Sequence, residues 1–170
     1  MSHWYRAFVV VVGMIPALDL SGQAGRIRLQ VPLAKQPYNL CLPTSVSMVL
    51  SYWGLEVTAQ SIGDQVTTYK GGTTGQELLR VVDQMGFRGF LIQPEFEDLL
   101  LHLERGRPLI IQLPNGASVR HAMVLVGFDF GAKVVWLNDP ASGGTTSLAA
   151  SSFRRDWSAA GRWTLLILPK

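Results

Sequence analysis

The stretch that most restricts the fold is His121-Ala122-Met123-Val124-Leu125-Val126-Gly127-Phe128. Its odd and even positions are both apolar. Successive side chains of a strand point to opposite faces, so this pattern predicts a central, buried strand, here His121 to Asp129. Pro108 to Leu113, Lys133 to Asn138 and Trp163 to Ile167 are strand candidates around it. Arg26 to Leu33 and Phe87 to Ile92 read as earlier strands.

The first half is mostly helical in pattern. Val46, Val49, Leu50 and Trp53 recur at i, i+3, i+4 and i+7, with Pro43 in the first turn and Gly54 at the end. Thr58 caps a predicted helix over Ala59 to Val66. Gly71-Gly72-Thr73 reads as a turn. Thr74 and Glu77 make a capping-box pattern before Leu78, Leu79, Val82 and Met85, with Gly86 as the stop. Pro94 opens a helix over Glu95 to Arg105, ended by Gly106. A short helix capped by Ser151 or Ser152 runs through Trp157. Helices first, then mostly antiparallel strands, give an α+β architecture. The 170 residues suit one domain, 48% hydrophobic and 16% charged. The fifteen Lys and Arg are scattered and the net charge is only +3, which argues against nucleic acid as a partner.

The first segment has its own pattern. Arg6 precedes the apolar run Ala7 to Leu18, which ends at Asp19. Spanning a bilayer takes about 20 residues, so the run is too short. Its layout is that of a secretory signal, with a cleavage site after Ala24. A buried strand is the competing reading, since valine runs favour strands. The expectation is a signal peptide over 1–24, engaging the export machinery or the membrane, and one domain over 25–170. The mature protein is then periplasmic or extracellular, or membrane-anchored if the segment is not cleaved.

Cys41 is the only cysteine, so an internal disulfide is excluded and a working thiol becomes a candidate. It lies at or just before a helix N-terminus, where partial positive charge favours thiolate. Gln36 carries an amide able to donate to an oxyanion beside the sulfur. His121 heads the central strand. A three-residue loop over Asp129 to Gly131 pairs Phe128 with Ala132, and counting outward sets His121 opposite Asp139, with Asn138 on the other face as second choice. Thiol nucleophile, imidazole base, orienting carboxylate and oxyanion donor form a complete acyl-transfer set. The competing readings are a buried apolar cysteine, a core histidine and a turn-forming Asp139. Those three residues, and His102, lack metal-ligand spacing, and nothing calls for a cofactor. Trp53, Trp136, Trp157 and Trp163 read as core.

These motifs resemble the C39-like cysteine peptidases of the papain-like superfamily. The resemblance rests on Gln36, Cys41-Leu42-Pro43-Thr44-Ser45 with Tyr52-Trp53-Gly54, Gly72-Thr73-Thr74, Arg107-Pro108-Leu109-Ile110, His121 to Asp129, and Asn138-Asp139-Pro140. It covers about Val31 to Leu168. It implies a papain-like fold, a helical N-terminal half packed on a mostly antiparallel sheet. It implies a bacterial exported thiol protease acting on a peptide or protein. Cys41 would be the nucleophile, His121 the base, Asp139 the orienter and Gln36 the oxyanion donor. Members joined to transporters cut leader peptides after a double glycine. The family usually has glycine where this chain has Leu42, a side chain expected to narrow the groove or alter the oxyanion site. An acyltransferase or transpeptidase, or a peptide-binding module without catalysis, would use the same scaffold.

Overall fold

The central strand predicted from sequence forms β4, Arg120–Asp129, buried from Ala122 to Phe128. The computed structural model describes residues 25–66, 75–116 and 119–170. The predicted signal segment, the Gly71-Gly72-Thr73 turn and the Thr74 half of the capping box lie outside the described residues.

In chain order the elements are β1 (Arg26–Arg28), α1 (Cys41–Tyr52), α2 (Ala59–Gly63), α3 (Gly75–Gln84), β2 (Phe87–Ile92), α4 (Phe96–Glu104), β3 (Leu109–Pro114), β4, β5 (Val134–Asp139), β6 (Gly144–Ala149), α5 (Ala150–Ala159) and β7 (Thr164–Pro169). All strand pairs are antiparallel, in the order β2-β7-β3-β4-β5-β6, with β1 paired to the far end of β4.

Strand alternation sorts the core into two layers. Ile110, Ala122, Val124, Val126, Leu165 and Ile167 face α1, α2 and α3. Leu109, Ile111, Met123, Leu125, Leu137 and Leu166 face α4 and α5, where Phe153 and Trp157 are fully buried. The expected helices on an antiparallel sheet are present, and helices cover both of its faces. That follows from the two-sided apolarity of β4.

Local signals explain most boundaries. Thr58 accepts a hydrogen bond from Ser61 N–H, the cap expected of it. Gly54, Gly86 and Gly106 all have positive φ beyond helix ends. Four expectations shift. The first strand stops at Arg28, with one further bond from Leu29 N–H to Val126 O at 2.8 Å. The helix after Thr58 ends at Gly63. The cap residue of α5 is Ala149, with no side-chain cap from a serine. Strand β6 was hidden by its polar, glycine-led sequence, Gly144-Thr145-Thr146-Ser147.

The hairpin between β4 and β5 also differs. Asp129 pairs with Val134 and Phe128 with Val135, so four residues form the loop, with Lys133 at φ 52°. A bulge between Leu125 and Gly127 then withdraws one position, and Val124 pairs with Asn138. The net offset from the expected register is two residues. An even offset leaves every side chain on its expected face, whereas an odd one would have reversed them.

Candidate active site

The register puts His121 and Asp139 on one face at the same end of the sheet. Continuing the β4–β5 pairing past Val124 and Asn138 sets Asp139 opposite Met123, so His121 is its diagonal neighbour and not its direct partner. A diagonal pair lies within reach of long side chains. His121 Nε2 stands 2.6 Å from Asp139 Oδ1. Without the bulge, Asp139 would sit opposite Val124 and share its face.

The sequence after β5 anchors the carboxylate further. Asp139-Pro140-Ala141-Ser142 makes a turn in which the N–H groups of Ala141 and Ser142 donate to Asp139 at 2.9 and 3.4 Å. Burial on its own would raise the Asp139 carboxyl. The His121 hydrogen bond, the Ala141 N–H, the imidazolium charge and Ser142 outweigh it and hold the group below the usual carboxylate range.

Cys41 comes from the helix layer on the other face. It opens α1, whose N-cap Leu40 provides no side-chain cap and whose first turn contains no acid. Pro43 has no N–H to satisfy. The positive end of the helix is thus left to the sulfur. The His121 ring and the N–H groups of Ala122 and Leu42 are placed to hydrogen-bond a thiolate at Cys41. Since Nε2 serves Asp139, Nδ1 is the ring nitrogen left for sulfur. Burial pushes the thiol up, but these hydrogen bonds and the imidazole charge prevail, and its pKa falls below 9.0. The His121 pKa rises above 6.5, chiefly through its bond to Cys41, against burial and with Asp139 in support. Both shifts favour a thiolate–imidazolium pair.

Gln36 reaches the same end through backbone. Its N–H donates to Pro140 O at 2.8 Å, tying the segment before α1 to the exit of β5. Its side-chain Oε1 is buried without a hydrogen-bond partner among the described residues. Asn39, at φ 58°, then turns the chain into α1. All four residues singled out from sequence are therefore on the elements that meet at this end. Asn138, the second choice as orienter, points elsewhere. Its Nδ2 donates to Val31 O at 3.0 Å, and its Oδ1 accepts from Thr145 Oγ1 at 2.8 Å.

A family model described as the Peptidase_C39 like family matches residues 28–164. The chain belongs to that family. Solved structures have the same fold. The peptidase domain of Streptococcus ComA, a bi-functional ABC transporter involved in a quorum-sensing pathway, is 20% identical at a TM-score of 0.70, covering 82% of this chain and 99% of that one. A putative C39-like peptidase from Bacillus anthracis is 17% identical at 0.72, covering 85% and 98%. A double glycine motif protease from an AMS/PCAT transporter, solved with its leader peptide, is 24% identical at 0.67, covering 87% and 96%. A search of curated protein sequences finds no match.

Within this C39-like fold, Leu42 does not narrow the groove as expected. It is only 3% exposed and packs in the core beneath α1. What it contributes at the site is its N–H. That amide and the one on Ala122 were not legible as site groups, because any residue type supplies them. His102 lies half-buried on α4, its pKa lowered by burial and by Arg107 and Arg105, against Asp98. Among the described residues, no cluster of three or more His, Cys, Asp or Glu could hold a metal ion. No described helix is long and apolar enough to cross a membrane.

Proposed function

We propose that this protein is an exported cysteine peptidase with Cys41 as nucleophile. The observation that carries the reading is the 2.6 Å His121–Asp139 hydrogen bond beside Cys41, with the thiol lowered and the imidazole raised. The thiolate attacks a peptide carbonyl. Gln36 and the Cys41 N–H at the start of α1 receive the developing oxyanion. His121 gives its proton to the leaving amine as the C–N bond breaks, leaving a thioester on Cys41. The same imidazole then takes a proton from water, whose oxygen attacks the thioester. The carboxylic product departs, and thiolate and imidazolium are restored. Asp139 keeps the ring oriented and favours its charged form.

The substrate is a polypeptide. Peptides containing a double glycine are the first to try, by analogy with the leader-bound neighbour. Export rests on the signal-like layout of residues 1–24.

The test is the pH dependence of Cys41 alkylation by iodoacetamide, followed by peptide hydrolysis. A lowered thiol keeps its thiolate as pH falls, until the shifted pKa is crossed. Alkylation stays fast well below the ordinary thiol value of about 8.5. His121→Ala loses that acid-side reactivity and lowers kcat by about 10²–10⁴-fold. An alkylation rate rising only near the ordinary value, and unchanged by the substitution, would sink the reading.

A further inference from the structure

The sheet face that carries α1 also carries a cavity away from Cys41. One ladder row runs Arg28, Gly127, Trp136 and Ser147 across β1, β4, β5 and β6. A Cβ at Gly127 would stand 2.9 Å from Trp136 Cε3 and 3.2 Å from Arg28 Cα. The missing side chain lets the two neighbours meet. The Arg28 guanidinium lies over the Trp136 indole, 5.1 Å from the ring centroid. With Arg26, Thr145, Thr146 and Ser147 they line about 520 Å³. The cavity is shallow and open to solvent.

The charges do not balance. Arg26 is paired with Asp129 at 2.6 Å. Arg28 has no carboxylate partner among the described residues, and its only charge-related neighbour is the indole. Two guanidinium groups and one carboxylate leave a net +1 at the cavity. A monoanion neutralises that charge, whereas a dianionic phosphate would overshoot it. The indole offers a flat apolar surface beside the charge, suited to the methylene stem of an acidic side chain. The Ser147 hydroxyl, opposite Trp136 on β6, can donate to the free carboxylate oxygen. Burial also draws the Arg28 guanidinium below its ordinary value, a loss that a seated carboxylate would reverse.

We propose that this cavity binds a carboxylate side chain on an acidic segment of a polypeptide, through Arg28 and Trp136. The room beyond a single carboxylate, and the indole flank, favour a peptide over a free acid. That the segment belongs to a substrate rests on the peptidase reading; the binding site does not.

The test uses the full chain carrying Cys41→Ser, labelled with ¹⁵N, with the Trp136 indole signal assigned through Trp136→Phe. An octapeptide of glutamate and alanine is titrated in, beside its glutamine counterpart and N-acetylglutamate. The glutamate peptide shifts the Trp136 signal saturably, and the glutamine peptide does not. Arg28→Gln weakens binding by about 10-fold or more, the effect of losing one charge-assisted hydrogen bond. Ser147→Glu puts a carboxylate opposite Trp136 and abolishes binding. The rest of each variant's spectrum reports that it is folded. A Trp136 signal that never moves, or that moves equally in Arg28→Gln, overturns the site. N-acetylglutamate binding as tightly as the peptide overturns the polypeptide as its source. Neither result bears on Cys41 reactivity, which the alkylation profile reads separately.

Discussion

Cys41 and Leu42 are adjacent in the chain and opposite in environment. The sulfur accepts hydrogen bonds at the sheet's end, while the leucine side chain fills the core under α1. Leu42→Ala should cost about 2–5 kcal/mol, as buried leucine truncations do, and leave the alkylation profile unchanged. Urea unfolding and iodoacetamide rates check both halves. A faster rate or altered substrate preference would return Leu42 to the groove. Asp139 has a pH signature of its own. Its carboxyl pKa is lowered in the folded chain, so its contribution to stability is present above the unfolded carboxyl value. That contribution is lost as pH falls through the folded value. Asp139→Asn should lower stability near neutrality and flatten its decline on acidification. Denaturant midpoints measured from neutral to acid pH would show it; parallel curves would contradict it.

At the scale of elements, the β4–β5 hairpin decides the site. A longer loop and a bulge combine to an even offset, and His121 finds Asp139 diagonally. Gly127 is part of that device. A side chain there would run into the carbonyl of Ile27 and the Trp136 ring, and the backbone contact cannot relax by a rotamer change. Gly127→Ala should destabilise by about 1–3 kcal/mol, the range for overpacking a tight core. It should also move the Trp136 fluorescence. Unchanged stability would mean that β1 can part from β4 without cost.

For the whole molecule, the two hydrophobic layers share one sheet. Leu78 lies in one layer and Phe153 in the other, both fully buried. Because β3, β4 and β7 each supply buried residues to both layers, neither layer can melt without exposing the other's support. Leu78→Ala and Phe153→Ala should each lower a single cooperative transition, by about 2–5 and 3–5 kcal/mol respectively. Two separated transitions in calorimetry would show the layers to be independent.

The sequence by itself determined most of the elements and the residues that carry site chemistry. The two-sided apolarity of β4, the 3.6-residue pattern of α1 and the glycines at helix ends are local properties, and they were readable as such. The face on which His121 and Asp139 point was readable too, because strand alternation preserves it through any even slip. Tertiary structure alone decided the pairing itself. Loop length and the Leu125–Gly127 bulge depend on how β1 and β5 pack beside β4, which no local pattern encodes. It also decided that Leu42 faces the core, that a polar stretch pairs as β6, and that backbone amides of Leu42 and Ala122 reach the sulfur. Side-chain chemistry is written in the residue types; hydrogen bonds from the main chain are assigned only when the chain has folded.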